Sequence, residues 1–503
     1  MDYNFKPLEE LLGNRIITDK FECSLYCEDL APLPKVINLL FKTRPCAVVR
    51  PENAGEISEI MRFANKNKIY VTPRASATSA LGNAITTRGG MIMDMSSFYD
   101  KIIIDENERT VTVSSSVVWK KLEKFLNRKG LALMSYPSSL PSATVGGWLS
   151  SPGFGIGTLK YGNVYEQVLK MEVVLPDGTI KKYSGKDKNR FLGTEGTTGI
   201  ITSVKLKVMD KPDAESAHLL KFDSMETFCS ILKKLIKLKP FNISYADRRY
   251  VWMMEYAKSG YNSKDDLNSQ VNSNASGSEG EYKENADFEF SSLIVFEGTS
   301  VEVESSAKNL REIIKNNKGI REESAGISKE EWEERFNPMK IKRRGPTLLA
   351  GDLLVPLDKL SRVIEKINKI NINNLGVEGT IVSDDRAVVM PMYLTDERRF
   401  LDFIFALRHI KKMNDIAVSS GGIPYGTGVW NSPYISKIMD KDKMNEKIKL
   451  KKNLDPNNIL NPDKYLGIKL VLASIMFHPA VYGLGMIGAD IAAKPLRLVG
   501  VIK

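Results

Sequence analysis

Three segments of this chain are built largely from glycine, serine, threonine and alanine. Glycine weakens regular structure unless the backbone must approach a ligand closely or adopt a positive φ. Small side chains also let backbone N–H groups approach a phosphate, and nearby hydroxyls add donors. One such turn is also typical of an ordinary loop, but three favour a phosphate-binding site assembled from loops. The segments are VTPRASATSALG (71–82), YPSSLPSATVGGWLSSPGFGIGTLKYG (136–162) and FLGTEGTTGIITSVKL (191–206).

Two further segments carry side chains suited to holding a small acid. The glycine-rich loop SSGGIPYGTGVWNSPY (419–434) presents Tyr425, Trp430 and Asn431, and we interpret it as a wall of an active site or as a plain surface loop. The basic stretch EEWEERFNPMKIKRRGPTLL (330–349) could hold a carboxylate, because a guanidinium binds it through two parallel hydrogen bonds. The alternative is a solvated basic surface. Its candidate anchors are Arg335, Lys342, Arg343 and Arg344.

The elements that would position these residues are short strands followed by a region of longer helices. Between Arg44 and Asp210, apolar runs separated by Gly, Pro and Asp turns predict strands, and AVVRP, AGEISEIMRFANKN and IYVTPRA predict a β-α-β opening. From about Ser216, longer helical periods alternate with strands, which predicts a second domain. The further predicted elements include MIMDMSSF, KIIIDENERTVTVSSSV, VLKMEVVLPDG, IITSVKLKVM, MPMYL and the helix FLDFIFALRHIKKM.

Composition excludes several classes of protein. The chain has 503 residues, a net charge of +11 and 42% hydrophobic residues, which is typical of a globular protein of two or more domains. No nucleic-acid-reading module accompanies the charge, so nucleic acid is not an expected partner. Four irregularly spaced cysteines do not form a disulfide framework, and Cys23 and Cys27 lack a second pair of metal ligands. The N-terminus lacks a secretory signal, so we expect a cytoplasmic protein.

The order of these motifs resembles the FAD-binding domain of the vanillyl-alcohol oxidase and p-cresol methylhydroxylase superfamily. The resemblance runs from about Cys46 to Met209, and DPNNILNPDKYL near the C-terminus resembles the superfamily's FAD-linked oxidase C-terminal type. Among its branches, the chain looks most like glycolate oxidase and D-lactate dehydrogenase flavoprotein subunits. The resemblance implies an α+β fold, with a two-subdomain FAD-binding domain and an α+β substrate or cap domain whose antiparallel sheet is flanked by helices.

Five parts are expected along the chain. They are an N-terminal segment 1–43, the FAD-binding domain 44–210, the substrate or cap domain 211–415, a C-terminal segment 416–468 that returns to the flavin, and an apolar tail 469–503. Residues 259–287 are rich in Ser, Asn, Gly and charge, which predicts a disordered insertion. The tail carries no charge between Lys469 and Asp490. Docking on the protein or a partner, peripheral contact with the inner face of a membrane, and a membrane span all stay open for it.

The resemblance also implies which residues hold FAD. The 74–79 loop would cradle the pyrophosphate, the second segment would wrap the dinucleotide and the third would line its adenine side. The family's loop carries glycines where this chain has Ala75, Ser76 and Ala77, and alanine suits such a position only where φ stays negative. The implied FAD-binding residues are Pro73, Arg74, Ala75, Ser76, Ala77, Thr78, Ser79, Gly82, Pro137, Ser138, Thr144, Val145, Gly146, Gly147, Gly157, Tyr161, Gly162, Glu195, Gly196, Gly199, Ile200 and Ile201.

Histidine usage bears on both cofactor attachment and mechanism. Family members that bind FAD covalently use a histidine or cysteine near the flavin, and neither occurs in the 71–82 loop or in SATVGG, so we expect noncovalent FAD. The HxGDGNxH-type segment of metal-dependent relatives is missing, and the chain has three histidines, so we expect no metal.

Oxidation of a small 2-hydroxy acid is the function that the resemblance implies. The reaction needs a carboxylate anchor, hydride transfer to the flavin and a base for the hydroxyl proton. Tyr425, Glu378 and His409 are the candidate bases, and the sequence does not decide among them. The flavin's electrons would pass to a separate iron–sulfur or quinone-linked acceptor. The alternatives are a sugar-acid or lactone oxidase of the same superfamily, and a flavin electron-transfer subunit without its own substrate.

Overall fold

The computed structural model describes residues 3–31, 41–258, 288–345, 347–370 and 375–467. The chain forms two compact units, one from Met1–Pro212 and the residues from Ile423 on, the other from Asp213–Gly422. The five limits drawn from the sequence stay predictions, and the predicted insertion 259–287 and tail 469–503 lie outside the described residues. Within the described ranges, no helix has the length and apolar character needed to cross a membrane.

The first sheet of unit 1 contains the predicted β-α-β opening. Its strands are β1 (Ile16–Ile17), β2 (Ala47–Val49), β3 (Val71–Arg74) and β4 (Met91–Asp94), in the order β1-β2-β4-β3. β2 and β3 both run parallel to β4, which therefore lies between them.

The helix Ala54–Asn67 connects β2 to β3 and buries one face in the core of unit 1. Its first turn is capped by the Asn53 side chain, which accepts a hydrogen bond from the Glu56 N–H. Ile57, Ile60, Met61 and Ala64 recur at helical spacing and pack in one cluster with residues of β3 and β4. This packing holds the C-terminal end of β3 at a fixed place.

A second, wholly antiparallel sheet follows in unit 1. The sheet order is β5-β6-β10-β8-β9, and β11 pairs separately with β7. β10 is the central strand and begins within the third glycine-rich segment, directly after Gly199, so the sheet fixes where the glycine-rich turns of that segment end. The strands are β5 (Ile102–Asp105), β6 (Thr110–Ser114), β7 (Leu131–Ala132), β8 (Val168–Val174), β9 (Ile180–Ser184), β10 (Ile200–Lys207) and β11 (Met209–Asp210).

Short helices join these strands, and one is set by an aromatic pair. Trp119 and Trp148 meet edge to face with ring centroids 5.1 Å apart, and both are buried. The contact fixes the helix that opens with the Thr-Val-Gly-Gly motif. That helix is Val145–Leu149. Besides it and Ala54–Asn67, the described α-helices of unit 1 are Lys6–Leu12, Lys20–Ser24, Trp119–Asn127, Thr158–Tyr161, Val164–Gln167, Ile435–Ile438 and Lys441–Leu454.

Unit 2 is an antiparallel sheet with helices, as the resemblance implied, and the α+β class is confirmed. The strands follow the order β15-β12-β14-β13-β18-β19-β17, and β16 also pairs with β19. They are β12 (Ala214–Phe222), β13 (Asn242–Asp247), β14 (Phe290–Gly298), β15 (Ile320–Glu322), β16 (Thr347–Ala350), β17 (Leu353–Pro356), β18 (Leu375–Ile381) and β19 (Arg386–Thr395). The helices are Met225–Lys237, Arg248–Lys258, Ser300–Lys315, Ala325–Glu333, Leu360–Asn368 and Phe400–Ser419. A short strand, β20 (Ile423–Pro424), then opens the C-terminal part of unit 1.

Candidate functional site

The loop that follows β3 presents unpaired backbone donors. Among the residues that the structure describes, the N–H groups of Ser76, Ala77 and Thr78 donate no hydrogen bond. Ala77 has a φ of +53°, a conformation that suits glycine. Alanine was expected here only at a negative φ, so this position does not meet that expectation. A left-handed residue costs about 1–2 kcal/mol when it carries a Cβ. Successive free N–H groups around such a residue form a concave site for an anion.

The Arg74 side chain stabilises this loop through hydrogen bonds to backbone carbonyls. Its Nη1 donates to the carbonyl oxygens of Glu28 and Ala84, at 2.8 and 3.2 Å, and its guanidinium lies over the Tyr26 ring. The Ser79 hydroxyl donates to Asn83 Oδ1 at 2.5 Å and accepts from the Leu81 N–H. Both side chains therefore fix the loop's shape, and the free N–H groups are left as its anion donors.

The second glycine-rich segment lies against this loop. The Thr144 side chain caps the helix Val145–Leu149 by accepting from the Gly147 N–H. A Cβ at Gly147 would lie 3.4 Å from the Ala75 Cβ, and one at Gly146 would lie 2.6 Å from the Ser115 Cβ. Gly146 therefore permits a close approach to Ser115 that no other residue allows, and Gly147 lies against the loop at Ala75.

The third glycine-rich segment completes the convergence. The Gly193 and Glu195 N–H groups donate to the carbonyls of Leu149 and Ser150, at 2.9 and 2.8 Å. A Cβ at Gly196 would lie 3.6 Å from the Pro73 side chain. The structure thus brings together three segments that are far apart in the sequence, around the end of β3.

The remaining residues predicted to wrap the dinucleotide lie in the same unit. Pro137 is buried and Ser138 exposed, next to a bridge between Tyr136 and Ile156. Gly157 and Gly162 flank the short helix Thr158–Tyr161, and Tyr161 is half-buried. Gly199 leads into β10, whose first residues, Ile200 and Ile201, are buried.

Glu195 has a role that its expected place beside the adenine does not suggest. The carboxylate is buried and accepts hydrogen bonds from the N–H groups of Thr427, Gly428 and Tyr465, at 2.8, 3.0 and 3.1 Å. Burial raises its pKa, and these three N–H donors act in the opposite direction. The carboxylate fastens the C-terminal loop to the third glycine-rich segment, while the predicted adenine contact stays a prediction.

The glycine-rich loop near the C-terminus lies directly on the first loop. The Val429 N–H donates to the Leu81 carbonyl at 2.8 Å. The Tyr425 hydroxyl accepts from the Phe154 N–H at 3.1 Å and lies 3.2 Å from the Phe154 carbonyl oxygen. Asn431 donates to the Gly426 carbonyl within its own turn, and Trp430 is half-buried. The loop joins the first and second glycine-rich segments and forms a wall beside them.

The last described residues are fixed to the same place by buried charges that no motif of the sequence indicated. The Asp463 carboxylate pairs with the Arg88 guanidinium at 2.7 and 2.8 Å. The Asn461 N–H donates to the Val71 carbonyl, and its side-chain amide donates to the Glu195 carbonyl. The closing NPDK motif was the available signal, but nothing in it indicates that its polar residues are buried against β3.

The basic residues predicted to anchor the substrate carboxylate lie in unit 2, and their surroundings differ from one residue to the next. The Arg335 guanidinium lies 3.8 Å from the centre of the Trp332 ring and 4.3 Å from that of Phe336, and donates to the Trp332 carbonyl. Arg343 is exposed and donates to the Ala257 carbonyl at 2.9 Å, and Lys342 is exposed. The Arg344 side chain lies outside the described residues.

Two of the candidate bases also lie in unit 2. Glu378 on β18 is hydrogen-bonded to Tyr250, and its burial, together with the negative charge of Asp352, raises its pKa to about 7. Burial raises the pKa of Asp352 to about 6. His409 is buried in the helix Phe400–Ser419, with its ring edge-on to Tyr393 at 5.7 Å.

Two protein families match the chain. The family described as FAD binding domain matches residues 45–184, and the family described as FAD linked oxidases, C-terminal domain, matches residues 211–465. The glycolate oxidase subunit GlcD of Bacillus subtilis is 26% identical over 451 residues, which span 84% of this chain and 89% of that protein. The mitochondrial D-lactate dehydrogenase [cytochrome] 1 of Saccharomyces cerevisiae is 24% identical, spanning 84% of this chain and 72% of that protein.

Solved structures share the fold at lower identity. A p-cresol methylhydroxylase with bound substrate aligns with a TM-score of 0.74 at 15% identity, covering 92% of this chain and 96% of that one. An alkyldihydroxyacetonephosphate synthase aligns with a TM-score of 0.72 at 19% identity, covering 92% and 86%. The free N–H groups of the 76–78 loop, with two glycine-rich segments against it, fit the pyrophosphate of FAD, the cofactor of the matched families. The chain belongs to the FAD-linked oxidases.

Proposed function

We propose that this protein oxidises a small 2-hydroxy acid, of the glycolate or D-lactate type, with FAD as the hydride acceptor. The observation that carries the proposal is the convergence of three glycine-rich segments on a loop with free N–H donors, in a chain of this family. The names of the relatives, glycolate oxidase subunit and D-lactate dehydrogenase, support the substrate class.

The FAD contacts expected from the sequence are part of the proposal. The N–H groups of residues 76–78 would hold the pyrophosphate, with Gly146 and Gly147 closing on it. Arg74 and Ser79 would act indirectly by shaping the loop, since their polar groups bind the chain itself. Noncovalent attachment remains part of the proposal, because neither histidine nor cysteine occurs in the 71–82 loop or in SATVGG.

Glu378 is the base that we favour for the hydroxyl proton. FAD, when bound, supplies the hydride acceptor. A base must lose its own proton near the working pH, and a carboxyl with a pKa of about 7 satisfies this condition. Tyr425 is less suitable because its hydroxyl binds the Phe154 backbone. His409 packs edge-on against Tyr393 in a helix interior.

Arg335 and Arg343 remain the proposed anchors of the substrate carboxylate, and Arg344 remains a candidate from the sequence. Stacking on Trp332 and Phe336 holds the Arg335 guanidinium in one orientation, which favours binding to a planar carboxylate. Replacing Arg335 with methionine should raise the KM for the acid far more than it lowers kcat.

An anaerobic titration tests the proposed function. The visible spectrum of the purified protein is followed while glycolate, D- and L-lactate, 2-hydroxyglutarate and sugar acids are added in turn. Bleaching of the oxidised flavin band by a 2-hydroxy acid is the expected result. Bleaching by a sugar acid alone would identify the related sugar-acid or lactone oxidase class. A flavin that no acid bleaches would identify an electron-transfer subunit, and either result would contradict the proposal.

The electron acceptor is proposed to be a separate iron–sulfur or quinone-linked protein. The apolar tail 469–503, which lies outside the described residues, would help to dock it, with peripheral membrane contact as the second role proposed for the tail. Removing the residues after Lys469 should weaken acceptor reduction while flavin bleaching by the substrate continues. Unchanged acceptor reduction and unchanged membrane association would contradict this part of the proposal.

A further inference from the structure

One lysine of unit 1 is buried without a hydrogen bond. Lys464 is 2% exposed, and among the residues that the structure describes its Nζ has no hydrogen-bond partner. An ammonium group has three N–H donors and loses its water when it is buried. A buried ammonium is therefore expected to have acceptors, either in the protein or in a ligand.

The charges around Lys464 do not supply these acceptors. The carboxylates that face it are those of Asp29, Asp463 and Glu195, and all three favour its charged form. Each of them is already bound elsewhere: Asp463 to Arg88, Glu195 to three backbone N–H groups, and Asp29 to the N–H groups of Ala31 and Ala84. The cluster balances the charge of Lys464 but leaves its donors open.

Two of these carboxylates, those of Asp29 and Glu195, belong to segments that also contact the loop that follows β3. Asp29 accepts from the Ala84 N–H, and the adjacent Leu30 N–H donates to the Ala77 carbonyl. On the other side, Glu195 precedes Gly196, which lies against Pro73 at the start of the loop. The segments that flank both ends of the 74–84 loop therefore enclose the Lys464 ammonium.

We infer that Lys464 supplies the buried positive charge that binds the pyrophosphate of FAD, together with the N–H groups of residues 76–78. Arg74, which the sequence offered for this purpose, is engaged by the Glu28 and Ala84 carbonyls. The inference rests on the FAD site of the proposed function, but it concerns cofactor binding and not the identity of the substrate.

The pH dependence of FAD binding follows from the surroundings of Lys464. Burial lowers its pKa to about 8, although Asp29, Asp463 and Glu195 raise it. A pyrophosphate binds the charged ammonium, so binding above this pH requires the uptake of a proton. The affinity for FAD should therefore fall as the pH rises through about 8, and this measurement needs no variant.

The test measures FAD dissociation from the full-length holoprotein by the recovery of flavin fluorescence, with ADP as a flavin-free competitor that carries a pyrophosphate. Lys464→Met should weaken both FAD and ADP by about 30-fold or more at pH 7, since truncating one partner of a buried charge pair has effects of this size. Lys464→Arg should stay within a few-fold of the wild type and bind equally at pH 7 and 9.

A matched control is Lys451→Met, because Lys451 is also buried but donates to Asp455 and to the carbonyls of Thr197 and Leu460. It should lower the melting temperature without a selective loss of ADP binding. If Lys464→Met lowers only the melting temperature, the lysine is a structural counter-ion and the inference is wrong. If Lys464→Met instead lowers the reduction potential of the flavin and leaves ADP binding unchanged, the ammonium lies at the flavin ring, and the inference is also wrong. Neither result would affect substrate bleaching by the wild type, so the proposed function is tested separately.

Discussion

Ala77 occupies a backbone conformation that suits glycine. Its φ is +53°, whereas Ala75, two residues earlier in the same loop, is not among the residues with positive φ. Ala77→Gly should raise the free energy of unfolding by about 0.5–1 kcal/mol, because the relieved strain exceeds the added flexibility of the unfolded chain. Chemical denaturation of the FAD-bound protein measures the change.

Ala75→Gly is the matched control for this prediction. Glycine gains nothing at a negative φ, so this variant should lose about 0.5–1 kcal/mol through the entropy of the unfolded chain. Each substitution removes one methyl group from the same loop, and the two should change the free energy of unfolding in opposite directions. Equal signs would show that the left-handed conformation of Ala77 is not retained in solution.

The pH dependence of activity should follow the ionisation of Glu378. If it removes the hydroxyl proton, kcat/KM should rise with pH through about 7, the pKa that burial and Asp352 produce. Glu378→Gln should lower kcat/KM by about 10²- to 10⁴-fold and abolish this dependence. Tyr250→Phe should move the apparent pKa upward, because the hydrogen bond from Tyr250 lowers it.

Asp247→Asn controls for the loss of a buried carboxyl in the same unit. Burial raises the pKa of Asp247 to about 6, but its carboxylate accepts from the Tyr250 N–H at the start of a helix. This variant should keep the rise with pH through about 7. A Glu378→Gln enzyme with a wild-type pH profile would exclude Glu378 as the base.

The residue types indicated a phosphate-bearing ligand, but they did not indicate the role that each residue plays in the site. The three glycine-rich segments predicted a phosphate site because small residues leave backbone donors accessible. The side chains of Arg74 and Glu195 instead bind carbonyls and N–H groups of distant segments. These partners lie 46 and 232 positions away in the sequence, so local patterns carry no information about them.

At the scale of elements, a buried ion pair fastens the C-terminal segment to β3. Lys451 and Asp455 pair at 2.5 Å, and the Asp455 carboxylate also accepts from the N–H groups of Ile459 and Leu460. Asp455→Asn removes the charge and should lower the free energy of unfolding by about 3 kcal/mol, since Lys451 is then buried without its counter-ion.

The same substitution at Asp440 serves as the control. Asp440 caps the helix Lys441–Leu454 on the surface by accepting from the Lys443 N–H, and asparagine caps helices about as well. Asp440→Asn should therefore change stability by less than about 0.5 kcal/mol. Denaturation followed by circular dichroism and by flavin fluorescence separates the two variants. Similar losses for both would mean that the buried pair does not fasten the segment.

Strands and helices were predictable where their periodicity was clear, but strand order was not. AGEISEIMRFANKN forms a helix because its apolar residues recur on one face, and the predicted β-α-β unit is present. β4 nevertheless lies between β2 and β3, an arrangement set by pairing across the chain. Alternation within a strand predicts which side is buried, but it does not predict the neighbouring strand.

For the whole molecule, the sequence predicted two or more domains from its length and pattern, and the resemblance predicted that segment 416–468 returns to the flavin. The structure adds which residues of that segment pack within unit 1. Ile459 and Leu460 belong to the same buried cluster as β3 and the helix Ala54–Asn67. This core joins residues almost 400 positions apart. Two apolar residues after a turn carry no signal of such a distant partner, so only the structure identifies the contact.

The net charge of +11 gives a prediction at the scale of the whole chain. A 2-hydroxy acid is an anion at neutral pH, and an excess of positive charge attracts it until salt screens the field. Between about 10 mM and 100 mM ionic strength the Debye length falls from about 30 to about 10 Å, so kcat/KM should fall several-fold. Because saturating substrate removes the encounter step, kcat should stay constant. Chloride and glutamate salts of equal ionic strength should act alike, and an effect that follows the anion's identity would indicate competition for the substrate site instead.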